Sequence, residues 1–393
     1  MMVLVFGLGI AYGLTPLIAQ ASGKNNKEEI SKLLSNSIWV NIIVSIFLFC
    51  GVFYGSMYGM QHVDQDPAVV EEAKPYLFVL SLSIFPLMIF NAFKQFAEGL
   101  GFTKQAMRIT IWGNVLNIVL AIIFVKGMFG LEPMGIAGVG IATLIDRILM
   151  MVIMGAYVLK SKYFKEYMLH FNFFSVQIKR IKAILKIGAP VAFQYTFEVG
   201  LFAGASLIAG KIGALDQAAH NVALTLASMT YMMATGIASA ITIKIGNSYG
   251  KENYDRLKTF AKIAYRIILA FMIFTAIIFA VFNHTLASLM TTDKEVIALA
   301  AQLLIIAGLF QLFDGTQVIG LGILRGIGDV NIPTLITLFA YWVIGLPSGY
   351  YMGVELEMGV QGVWYGLTFA LLVSSILLYM RYKYMIRKKF ALS

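Results

Sequence analysis

Glu198 and Asp314 stand in the middle of long apolar runs. A carboxylate at that depth costs several kcal/mol unless it is paired, hydrated or protonated. On a helix, Glu198 shares its face with Gln194, Tyr195 and Phe202, at i−4, i−3 and i+4. Asp314 shares its face with Phe310 at i−4 and Gln317 at i+3. Each face joins one carboxylate to an amide and an aromatic ring. Such a set, around a water-filled cavity, holds a small cation by charge or an organic cation by cation–π attraction. The plainer reading is a pair of buried acids satisfied by neighbouring donors. No Lys or Arg stands mid-run in the second half to pair with them, since Lys244 and Arg266 fall near run ends. The functional reading is therefore preferred.

Other signals are weaker. Asp146-Arg147 reads as a local pair or as part of a polar network, and Lys94 and Glu98, four apart, as an end-of-helix salt bridge. His220 reads as a packed histidine rather than a proton relay. Gly7-Leu8-Gly9 and Gly320-Leu321-Gly322 lie inside apolar runs without a strand–helix unit, so they read as helix-packing glycines rather than nucleotide loops. No HExxH, Walker A or Ser–His–Asp arrangement can be argued, and the chain does not read as an enzyme. Trp39, Trp342 and Trp364 read as lipid-facing or interfacial. Met229, Met232 and Met233, near Tyr231, read as core packing or as an adaptable apolar wall.

The elements that position these residues are membrane helices. The chain has 393 residues, 59% apolar and 13% charged, with a net charge of +10; its mean hydropathy is +0.81. Soluble domains have about 25% charged residues, so a soluble enzyme, a disulfide scaffold and a disordered tail protein are excluded. A single cysteine, Cys50, excludes an intrachain disulfide and a cysteine metal cluster. Nucleic-acid binding would need an exposed basic face, whereas here the basic residues fall between apolar runs. Eleven runs are read, near 1–21, 37–58, 76–97, 106–126, 135–158, 187–209, 218–246, 263–282, 298–323, 332–352 and 360–380. Solid runs of about twenty residues exclude a membrane barrel. The fold class is an all-α polytopic membrane protein.

The breaks alternate in charge. Lys24, Lys27, Lys32, Lys104, Arg108, the basic stretch 159–186, Lys251, Arg256, Lys258, Lys262 and Arg325 fall in the odd breaks, with a basic tail beyond. The even breaks hold few cations and carry acids such as Asp64, Asp66, Glu71, Glu355 and Glu357. The positive-inside rule makes the odd breaks and the C-terminus cytoplasmic. Eleven crossings then put Met1 outside, which predicts a missing first helix within about fifty further residues upstream.

An internal duplication supports that expectation. Gly9-Ile10-Ala11 and Gly23-Lys24 recur as Gly236-Ile237-Ala238 and Gly250-Lys251, and Glu98-Gly99-Leu100-Gly101 as Arg325-Gly326-Ile327-Gly328, all 227 residues apart. Met134-Gly135-Ile136-Ala137-Gly138-Val139 returns 224 residues on as Met358-Gly359-Val360-Gln361-Gly362-Val363. The implied domains are an N-terminal bundle over 1–158, a basic, amphipathic cytoplasmic linker over 159–186, and a C-terminal bundle over 187–393. Parallel repeats of this kind build two pseudo-symmetric bundles, five helices plus six here, around a central cleft. Glu98 and Arg325, equivalent and opposite in charge, are a weaker candidate pair across that cleft.

These residues resemble the multidrug and toxic compound extrusion (MATE) transporters, in their NorM-like branch. The resemblance covers essentially the whole chain. It is strongest over Gly188-Ala189-Pro190 to Phe197-Glu198-Val199, Ala218-Ala219-His220-Asn221 and Leu324-Arg325-Gly326-Ile327-Gly328-Asp329. Ala19-Gln20 before Gly23 resembles the family's second helix. The resemblance implies two six-helix bundles and an antiporter that exports amphipathic, often cationic, organic compounds against Na+ or H+, with no other cofactor. It also implies a monomer in the lipid bilayer, a bacterial inner-membrane location and no nucleic-acid partner. Glu198, Asn221, Tyr231 and Asp314 match the family's second-lobe cation site, so Glu198 and Asp314 become candidate Na+ ligands. Asn117 matches a polar position of the first lobe. Departures are Asn221, where Gln is common, Phe310, where some members have Tyr, and Ala121 in place of an amide. Loss of the hydroxyl removes one oxygen ligand for a hard cation and leaves proton coupling open. The rival readings are a lipid-linked saccharide flippase of similar build, which should line its cavity with Arg and Lys, and a non-functional fragment.

Overall fold

The computed structural model describes residues 2–62 and 67–390; Met1, Asp64 and Asp66, used in the charge argument, lie outside the described residues. Among the described residues the chain is helical, without strands. Among these described residues eleven helices are long and apolar enough to cross a membrane. They are α1 (Val3–Gly23), α2 (Lys27–Met60), α3 (Ala73–Gly99), α4 (Thr103–Lys126), α5 (Gly135–Lys160), α6 (Ile178–Ile212), α7 (Ala214–Gly250), α8 (Tyr254–Val281), α9 (Lys294–Gly326), α10 (Asn331–Glu355) and α11 (Gly359–Lys388). Each overlaps one of the apolar runs read from the sequence.

The chain divides into two compact units, residues 1–192 and 193–393. The basic linker packs onto the first. Phe164 is fully buried there, among Phe96, Phe102 and Tyr157. Trp39 Nε1 donates to the Phe173 carbonyl at 2.7 Å, and Asn36 Oδ1 accepts from the Gln177 backbone N–H at 2.7 Å. Phe164 is thus anchored in protein, while Tyr163 and Phe174 of the same segment are exposed. In the same unit α1 breaks at Tyr12-Gly13. Its glycines meet α6 backbone to backbone, and a Cβ on Gly9 would stand 2.4 Å from Ala192 Cα. Small residues allow that approach where apolar lipid gives helices no other reason to associate.

The duplication holds down to individual hydrogen bonds. After α3, Gly101 N–H donates to Glu98 O and Phe102 N–H to Ala97 O. After α9, Gly328 N–H donates to Arg325 O and Asp329 N–H to Leu324 O. Gly101 (φ 90°) and Gly328 (φ 81°) both occupy the left-handed region that closes this C-cap. Added Cβ atoms on Gly99 and Gly326 would each stand 2.8 Å from an isoleucine, Ile18 and Ile245, which are themselves 227 residues apart.

In the second unit α9 is the hub, with α7, α8 and α11 packed on it. Its buried face carries Phe310, Gln311, Asp314 and Gln317 among aliphatic residues. α10 is π-helical over Phe339–Gly345, where Tyr341 turns into the core. Such segments, which widen the helix, occur often at functional sites. Trp364 is completely buried, against Phe310 and His220, and so is neither lipid-facing nor interfacial as its type suggested.

Candidate cation site in the second unit

Three helices of the second unit converge on one small cavity. α6 supplies Gln194, Tyr195 and Glu198; α7 supplies Tyr231, Thr235 and Ser239; α9 supplies Val318, Leu321, Gly322 and Arg325. The cavity measures about 20 Å³, room for one water molecule or a small cation. Gly322 makes that space by letting α7 and α9 touch, since a Cβ there would lie 2.8 Å from Ala238 O.

Glu198 is 9% exposed and hydrogen-bonds the Tyr231 hydroxyl. Gln194 is held by donation to Thr334 Oγ1 (2.9 Å), with the Val330 carbonyl at 3.3 Å. That orientation leaves its carbonyl oxygen toward Arg325, whose Nη2 donates to it at 3.5 Å. Arg325 Nη1 reaches the Tyr195 hydroxyl at 3.5 Å, and the guanidinium carbon lies 5.5 Å from the Tyr195 ring centre. These contacts are long, and Arg325 Nε has no hydrogen-bond partner. A cation is thus held loosely in the same cavity as Glu198, close enough for its charge to act on the carboxylate.

Asp314 lies on α9 one turn before Val318, about 6 Å nearer the middle of the helix. It is 4% exposed. Gln311 and Gln317 flank it at i−3 and i+3. Gln317 Nε2 donates to the Tyr341 hydroxyl, while its own Oε1 and both amide atoms of Gln311 lack partners. Buried polar atoms are nearly always satisfied, so these invite a water or a cation. Tyr231 and Tyr341 each lie within electrostatic range of both Glu198 and Asp314. Phe310 packs between Phe202 (6.2 Å) and Trp364 (5.3 Å), an aromatic wall beside the carboxylate. Among the described residues, no three His, Cys, Asp or Glu side chains cluster closely enough to hold a metal ion. A bound Na+ would therefore rely on the amide and hydroxyl oxygens as well as the two carboxylates.

The expected site residues fall into two sets. Gln194, Tyr195, Glu198 and Tyr231 share the cavity; Phe310, Asp314 and Gln317 are buried on α9, with the half-buried Phe202 packed on Phe310. Asn221 is exposed and does not line the cavity. Met229, Met232 and Met233 are also exposed rather than core. His220 is packed, with Nε2 3.0 Å from Ser206 Oγ. In the first unit Asn117 donates to Thr143 Oγ1 at 3.3 Å, and Asp146 is buried with Oδ1 unpartnered against Gly113. Arg147 donates to Ser83 Oγ (2.6 Å), so Asp146-Arg147 is not a simple local pair. Lys94 and Glu98 pair at 4.0 Å, as their spacing suggests.

Three residues escaped the sequence reading: Gln311, Tyr341 and Arg325 in this role. Arg325 follows Asp314 by eleven residues, three helical turns, so the spacing already placed it on the same face. Read from the sequence, it counts as a cation of a cytoplasmic break and a weaker partner for Glu98.

A model of the family described as MatE matches residues 1–123 and 190–351. The chain belongs to the MatE family. Among its relatives in that family is the multidrug resistance protein NorM of Aliivibrio fischeri. It is 32% identical over 380 residues, which span 95% of this chain and 82% of the relative. The probable multidrug resistance protein NorM of Agrobacterium fabrum is 30% identical over 392 residues, 98% of this chain and 84% of the relative. The fold is that of solved MATE structures. A MATE crystal structure in the bent conformation superposes with a TM-score of 0.90 at 21% identity, covering 100% of this chain and 86% of that one. An outward-facing multidrug resistance MATE family transporter gives 0.88 at 21% identity, with the same coverage. The MatE family member described here is thus a multi-pass membrane transport protein.

Proposed function

We propose that the protein is a multidrug efflux antiporter that expels amphipathic, often cationic, organic compounds in exchange for Na+ or H+. The single observation that carries this reading is the buried Glu198 carboxylate in an ion-sized cavity within a membrane helix bundle, beside a loosely held arginine. The names of its relatives, multidrug resistance proteins, support the cargo class. Binding of the coupling ion at Glu198 and Asp314 favours one transport state and binding of the organic cation the other, so each expels its competitor. In this account Arg325 is the resident countercharge, and the incoming cation takes its place at Glu198. The basic asymmetry of the breaks supports a bacterial inner-membrane location with a cytoplasmic C-terminus, and the chain acts as a monomer.

A lipid-linked saccharide would call for several cations around its pyrophosphate. Among the described residues Arg325 is the one cation lining this cavity, so the organic-cation reading is better supported. The test is counterflow of a fluorescent organic cation in proteoliposomes of phosphatidylethanolamine and phosphatidylglycerol, under an imposed Na+ or H+ gradient. Gradient-driven accumulation supports the proposal; absence of uptake under both gradients rejects it.

A further inference from the structure

The geometry points to a binding site for a membrane phospholipid with an anionic phosphodiester headgroup, in the groove between α8 and α11. The groove measures about 620 Å³ and lies in the second unit, away from the Glu198 cavity. Five cations line it: Lys258, Lys262 and Arg266 from α8, and Lys383 and Arg387 from α11. On each helix they recur every fourth residue, so each set forms one stripe facing the groove. Among the described residues no acidic side chain lines it, although Asp255 pairs with Lys258 at 3.7 Å.

The floor suits a lipid more than a free anion. Tyr265, Tyr379 and Tyr382 form a ring cluster, with centres 5.6, 6.2 and 6.5 Å apart. Lys383 Nζ lies 4.7 Å above the Tyr379 ring. Leu269 and Ile386 add apolar lining, and exposed apolar residues such as Ile267 and Met380 continue beside it. Along α8 the lining runs from Lys258 and Lys262 through Tyr265 and Arg266 to Leu269, a passage from cation to tyrosine to aliphatic residue that matches a phospholipid's phosphate, glycerol and acyl chain. Basic pockets between membrane helices at the positively charged side bind such headgroups.

The duplication supplies an independent argument. The first-unit equivalents of Lys258, Lys262 and Arg266 are Ser31, Ser35 and Trp39, on α2; the equivalent of Lys383 is Leu159, on α5. There the linker covers part of the space, as Phe173 packs on Trp39 at 5.2 Å and Phe164 is buried against Tyr157 of α5, while Leu159 stays exposed. In the second unit this space is a groove, and its walls carry charge instead of aromatic and small residues. The linker covers part of the first copy; an anionic lipid fills the second.

The test uses the full chain in detergent and native mass spectrometry, with equimolar cardiolipin and phosphatidylethanolamine as probes. Cardiolipin adducts should dominate for the wild type. The variant Lys262→Gln/Arg266→Gln/Lys383→Gln should lose them at least tenfold while keeping its thermal midpoint. Lys162→Gln/Lys179→Gln/Lys182→Gln, which removes equal charge from the linker, should keep them. If the groove variant unfolds, the single variants Lys262→Gln and Lys383→Gln replace it, each expected to lower the adduct ratio two- to fivefold. Equal adducts for both lipids, displacement by millimolar inorganic phosphate, or equal losses in groove and linker variants would each overturn the assignment.

Discussion

Arg325 and Glu198 line the same cavity, one at the end of α9 and the other within α6. The arginine is anchored to Gln194 and Tyr195 by contacts of 3.5 Å rather than by a close ion pair with the carboxylate. A fixed cation beside a carboxylate lowers that site's affinity for a mobile one. Two unit charges about 6–10 Å apart interact by roughly 1.7–2.8 kcal/mol at an effective dielectric constant near 20. Arg325→Gln should therefore lower the cation concentration for half-maximal exchange by at least about tenfold. Ion-titrated uptake in proteoliposomes measures it; an unchanged or higher half-saturating concentration would show that Arg325 does not compete.

Gly322 and Gly236 give a paired test of the helix contact that makes the cavity. A Cβ at Gly322 meets Ala238 O at 2.8 Å, whereas at Gly236 nothing lies within 4 Å. Gly322→Ala should destabilise the protein by about 1–3 kcal/mol through overpacking. Gly236→Ala, in an open helix interior, should be neutral or stabilising by up to about 1 kcal/mol. Thermal unfolding in detergent should show a clear fall for the first and no fall for the second.

The duplicated C-caps make a similar prediction in both units. Gly101→Ala and Gly328→Ala each force a side chain into the left-handed region, at about 1–2 kcal/mol. Both variants should lower the unfolding midpoint by comparable amounts. A loss confined to one of them would mean that the two caps are not energetically equivalent.

The helices and the repeat were legible because membrane burial writes itself into composition. Each span needs a long apolar run, and each cap at a repeated position needs a glycine, as Gly101 and Gly328 show. Glu198 and Asp314 were legible for the same reason, as charges where charge is costly. What could not be read was which polar residues face them from other helices. Tyr341 reaches Gln317 from α10, through a π-helical stretch that shifts the ordinary helical phase. Arg325 sits at a run end, where hydropathy suggests a surface residue, yet the fold turns it into the Glu198 cavity. Trp364 and the linker aromatics Phe164 and Phe173 likewise resemble interfacial residues by type, and tertiary packing decides otherwise.

The central claim is that the two buried carboxylates of the second unit couple ion binding to export. Gradient-driven counterflow of a fluorescent organic cation in proteoliposomes tests it most directly, with wild type, Glu198→Gln and Asp314→Asn at matched incorporation and matched thermal stability. The account predicts wild-type accumulation under the coupling gradient and a loss of at least tenfold in each variant, since each removes a charge that no neighbouring group replaces. Wild-type rates in both folded variants would contradict it.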